Sequence, residues 1–95
     1  VTTPADDPHD LPQMDFATFI LSLNHSVRMH LGDAPQPDGS VERDLVLAKQ
    51  SLEILELLQE KTRGNLTGAE ERLMTQSLHD LRLRFAEISR GAGGT

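Results

Sequence analysis

The 95-residue chain has no cysteine, no tryptophan and no tyrosine, and only three phenylalanines. Without thiols there can be no disulfide, no thiolate metal site and no cysteine nucleophile. Nothing marks an oxidising compartment, so the cytoplasm is the expected location. With so few rings, stacking platforms for bases or sugars are scarce. No stretch reaches the roughly 18 apolar residues of a membrane span. The first residues are acidic and proline-bearing rather than basic and then apolar, so neither an anchor nor a signal peptide is expected. Positive charge is also short: 9 Lys and Arg stand against 15 Asp and Glu, a net −6. Affinity for a polyanion comes from lysine and arginine, so nucleic acid is not the expected partner.

What the chain does contain is hydrophobic periodicity of one kind. Residues 1–14 hold prolines and Asp6, Asp7 and Asp10 with no positive side chain to balance them. This composition predicts a disordered acidic tail. A first helix is expected from Asp15, a good N-cap, to Leu31, with Gly32 free to take the left-handed position at its end. Its stripe is Phe16, Phe19, Ile20, Leu23, Val27 and Leu31. The segment Asp33–Ser40, with two prolines and a Pro-Asp-Gly signal, reads as a loop.

A second helix is expected over 41–63, capped by Ser40, with Glu42 and Asp44 in its first turn and Lys61 and Arg63 near its end. Val41, Leu45, Ala48, Leu52 and Leu55 form one stripe, and Leu47, Ile54 and Leu58 form another beside it. Together they span about half the circumference, which predicts contact with two neighbours. Gly64 supplies a stop, and Thr67-Gly68-Ala69-Glu70 fits a capping box that opens a third helix over 68–89. That helix gathers Leu73, Met74, Leu78, Leu81, Phe85 and Ile88 on one side. The prediction is one all-α domain over 15–90, with helices two and three as an antiparallel hairpin and a flexible end at 91–95. Sequence leaves open whether the first helix packs on its own hairpin or on another chain's.

Catalytic and metal chemistry find no constellation. His25 and His30 are five residues apart and turn roughly 140° from each other, whereas a helical chelate needs a spacing of three or four. His30 lies at the edge of the first stripe and reads as a core-margin histidine. His79 sits on a polar face with Asp80 pointing elsewhere, and His9 lies in the tail. The serines lack a nucleophile elbow, so no triad forms. Glu70-Glu71 and Glu53, Glu56 and Glu60 are spaced as first-turn and solvated-face carboxylates. Lys61-Thr62-Arg63-Gly64-Asn65 lacks the glycines and Gly-Lys-Ser/Thr ending of a phosphate loop and reads as a helix stop. Arg84 is expected to pair with Asp80 at i, i+4. No enzyme activity, cofactor or metal is expected.

Each helix also carries apolar residues off its core stripe: Leu21 and Met29, Val46 and Leu57, and Leu83. Single exposed apolar side chains are ordinary, but one or two on every helix of so small a domain suggest further burial. A core this size is only marginally stable alone. These five residues are therefore the candidate interface of a homo-oligomer, most simply a dimer, or of a complex with another protein. The rival reading is an RNA-associated accessory protein using Lys61, Arg63, Arg82, Arg84 and Arg90 as a local basic patch.

Four segments carry a family resemblance. Asp15-Phe16-Ala17-Thr18-Phe19-Ile20-Leu21-Ser22-Leu23, Leu45-Val46-Leu47-Ala48-Lys49-Gln50, Glu60-Lys61-Thr62-Arg63-Gly64-Asn65-Leu66-Thr67 and Asp80-Leu81-Arg82-Leu83-Arg84-Phe85 are the residues concerned. Over roughly Asp15 to Phe85 the chain resembles the small bacterial proteins grouped as domain-of-unknown-function family eighteen forty-four. The Lys-Thr-Arg-Gly-Asn-Leu-Thr turn is the most distinctive part. The resemblance implies a bacterial, helical protein and no particular activity, so no residue inherits a catalytic role.

Overall fold

The computed structural model describes residues 14–94. Three helices account for its regular structure, α1 (Phe16–Leu31), α2 (Leu45–Lys61) and α3 (Gly68–Gly94), and the described residues contain no strand. The acidic tail read over 1–14 lies outside them except for Met14, which is exposed.

The start of α1 follows from its cap: the Asp15 carboxylate accepts from the Thr18 N–H at 2.7 Å. This hydrogen bond, stronger to the charged carboxylate than to the neutral acid, holds the Asp15 pKa below its ordinary value. At the other end Gly32 takes φ 82°, where a side chain would be strained, and the Asp33 N–H donates to the Arg28 carbonyl at 2.9 Å. The last α1 carbonyls are satisfied by the chain that follows. Asp44 N–H donates to His30 O at 2.7 Å and Arg43 Nε to Leu31 O at 3.1 Å. The loop turns where Pro37-Asp38-Gly39 marks it, with the Gly39 N–H donating to Gln36 O at 2.8 Å.

The second helix starts later than its sequence pattern predicts. Ser40 does not cap it, because its hydroxyl and N–H both donate to the Asp38 carboxylate. Glu42 lies outside the helix, just before the two residues that bond to the end of α1. Asp44 is the cap instead, accepting from the N–H groups of Val46 and Leu47 at 3.1 Å each. The helix also closes two residues before Arg63: Thr62 folds its hydroxyl back to Leu58 O at 2.6 Å, and Gly64 takes φ 85° in the turn. The capping box of α3 forms as read, with Thr67 N–H donating to the Glu70 carboxylate and Glu70 N–H to the Thr67 hydroxyl. This helix runs on past residue 89 to Gly94, since adding a turn to an existing helix needs no new nucleus.

All three helices pack on one another, so α1 sits against the α2–α3 hairpin of its own chain. Ile20, Val27 and Leu31 meet Ala48, Leu52 and Leu55 and then Met74, Leu78, Leu81 and Ile88 in a single core. Phe16, Leu23, Leu45, Leu58, Leu73 and Phe85 pack at its margin. Four residues of the expected stripes stay exposed: Phe19, Val41, Leu47 and Ile54. Val41 precedes the helix that was to carry it inward. Phe19 packs on Phe16 in a T-shaped pair, with ring centroids 6.3 Å apart, rather than entering the core. Leu47 and Ile54 lie beyond the half of α2 that α1 and α3 cover.

Two ion pairs tie the layers together. Arg84 holds Asp33 with two hydrogen bonds, Nε to Oδ2 at 2.7 Å and a second nitrogen to Oδ1 at 2.9 Å. They join the end of α1 to the middle of α3. Glu56 of α2 accepts from Arg82 of α3 through one oxygen, at 3.0 and 2.7 Å. The expected Arg84–Asp80 pair does not form. Arg84 reaches across to Asp33 and sideways to Glu87, while Asp80 accepts from Gln76.

Candidate functional site

Helical spacing decides which exposed apolar residues share a face. Val46 and Leu57 are eleven residues apart on α2 and so project within about 20° of each other. They are 73% and 57% exposed. Ile54 and Leu47, 48% and 42% exposed, extend the same patch to one side. Gln50 and Glu53 lie between its ends. Two shallow depressions of about 390 and 380 Å³ run consecutively along this surface and share Gln50 and Glu53. The result is a surface about 16 Å long on the side of α2 turned away from the core, apolar at both ends and polar at Gln50 and Glu53 between them.

The other candidates are not brought to it. Leu21 and Leu83 are exposed, but their neighbours one turn away along the helix are Thr18 and His25 in one case and His79 and Glu87 in the other. Neither has another large apolar side chain one turn away on its own helix. Met29 is half-buried at the flank of α1 rather than free on its surface. Leu47 and Ile54 are the members that sequence reasoning placed in the core. Their signal was the apolar width of α2, which reads equally as a second buried side or as a side left open.

Three of the five basic candidates are occupied within the chain. Arg82 is held by Glu56 and Arg84 by Asp33, and Arg63 lies 3.3 Å from Glu60. The Asp33 bond raises the Arg84 pKa further and, in return, depresses that of Asp33. Lys61 and Arg90 are exposed at the ends of different helices. These side chains therefore do not present a concentrated positive field.

For chemistry, the geometry offers little to assemble. His25 and His79 are exposed and His30 is half-buried, while His9 lies outside the described residues. Among the described residues no three His, Asp or Glu side chains converge as metal ligands. The depression at the α2–α3 turn, lined by Gln59, Arg63, Leu66, Glu71, Met74 and Thr75, has a volume of about 270 Å³. No described helix is long and apolar enough to cross a membrane.

Comparison with curated proteins and with solved structures finds no match. A family profile does match, over residues 13–87, a span that takes in all of α1 and α2 and most of α3. The chain belongs to the family described as a domain of unknown function, DUF1844.

Proposed function

We propose that this protein is a non-enzymatic interaction module of the bacterial cytoplasm, whose working surface is the outward face of α2. The observation that carries this reading is the exposure of Val46, Leu47, Ile54 and Leu57 on one side of one helix, as two apolar pairs on either side of Gln50 and Glu53. Leaving four large apolar side chains partly in water forgoes burial worth roughly 25 cal/mol per Å² of the exposed area. In a domain this small, such a surface is characteristic of a protein contact. The RNA-associated reading is weakened by the engagement of Arg63, Arg82 and Arg84 with carboxylates of the same chain, which leaves Lys61 and Arg90 on different helices.

The test is a comparison of the native chain with Leu57→Glu, scoring both its own association by light scattering and its retention of proteins from bacterial extract. The charged variant is expected to lose association with helicity unchanged, because the site is exposed. Unaltered association in Leu57→Glu would remove the α2 face from the role. Salt-sensitive binding of an RNA pool by the native chain would favour the rival reading.

A further inference from the structure

We infer that the occupant of the α2 face is a second copy of this chain, packed antiparallel about a two-fold axis with Val46 of each copy against Leu57 of the other. The inference rests on the docking role proposed for that face and names its partner. Val46, Gln50, Glu53 and Leu57 follow one another at steps of four, three and four, the spacing of a seam between paired helices. The two apolar members lie at the ends of this seam and the two polar ones in the middle.

That order is self-complementary in one direction only. In an antiparallel pair, residue 46 meets 57 and residue 50 meets 53, so the Gln50 amide of each copy lies beside the Glu53 carboxylate of the other. The same two-fold brings like flanks together. On one side Leu47 and Ile54 meet Ile54 and Leu47 of the second copy and widen the apolar contact. On the other side Lys49 comes within reach of the second copy's Glu53. Among the described residues neither Lys49 nor Glu53 takes part in an ion pair within the chain. A parallel pair fails on both counts: Glu53 would abut Glu53 at the seam, and the charged flank of each helix would cover the apolar flank of the other. A contact confined to one helix from each copy lies at the small end of protein interfaces, so the dimer is concentration-dependent rather than permanent.

Because the chain has no cysteine, introduced thiols report without background. Val46→Cys and Leu57→Cys chains, each first shown by circular dichroism to keep native helicity, are oxidised separately and as an equimolar mixture. A disulfide needs Cα atoms within about 7 Å. In the antiparallel pair, like positions lie about 16 Å apart along the axis and unlike positions adjoin. Cross-linked dimer is expected in the mixture, with one chain of each kind, and not in either variant alone. Separately, Lys49→Glu or Glu53→Lys is expected to weaken self-association roughly tenfold, and combining the two changes in one chain to restore it. Cross-linking of the single variants at the rate of the mixture would overturn the antiparallel arrangement, as would failure of the double exchange to restore binding. A native chain that stays monomeric yet retains another protein through Val46 and Leu57 would overturn self-pairing and leave the docking role standing. Loss of both would remove both.

Discussion

Gly32 is a position where the backbone conformation itself limits which residues fit. Its φ of 82° lies in the left-handed region, and a Cβ added there would find only ordinary contact, 3.5 Å from Arg43 Cβ. Gly32→Ala is therefore expected to cost about 1–2 kcal/mol through backbone strain and not through a clash, read as a lower urea midpoint. Carboxylates set the pH response. Asp33 is depressed chiefly by its hydrogen bonds from Arg84, Asp38 by those from Ser40 and Asp15 by that from Thr18. A group whose folded pKa is depressed contributes stability that is fully present above its unfolded value, and this is lost as pH falls through the folded one. All three start from an ordinary value of 3.8, so their contribution is expected to hold at neutral pH and to fade below that value. Asp33→Asn should flatten the acid limb of a plot of thermal midpoint against pH. An unchanged acid limb would mean that the Arg84 contact contributes nothing to stability.

Elements were legible where local chemistry alone determines them. Asp15, Gly32 and the Thr67–Glu70 box each act within a few residues of themselves, and both ends of α1 and the start of α3 fall where they place them. The start of α2 was not legible, because two residues compete to cap it. Ser40 is consumed by Asp38, and Arg43 and Asp44 are drawn onto the end of α1, a tertiary contact that no local pattern encodes. The two starts are separable by experiment. Asp44→Ala is expected to destabilise by about 1 kcal/mol through loss of the cap. Ser40→Ala should have a much smaller effect on helicity, measured by circular dichroism. The Arg84–Asp33 pair was missed for the same reason, since its partners are 51 positions apart and Asp80 offered a nearer, local alternative.

For the whole molecule, the distinction that matters is between the two sides of α2. Leu55 is fully buried between the other helices, and Leu55→Ala should cost about 2–5 kcal/mol, seen as a lower denaturation midpoint. Leu57, two residues on, is 57% exposed, and Leu57→Glu should move the midpoint little. Hydrophobic periodicity could place Leu55 and Leu57 on different sides but could not say that Leu47 and Ile54 belong with Leu57. That depends on how much of the circumference of α2 the other helices cover. The most direct measurement is the solution mass of the native chain and of Leu57→Glu by light scattering over a wide concentration range. The native mass is expected to rise from the 10.5 kDa of one chain toward twice that value, and the variant to remain at one chain. A native chain that stays at 10.5 kDa throughout, or a variant that associates equally well, would contradict the assignment of the α2 face as the surface where two copies meet.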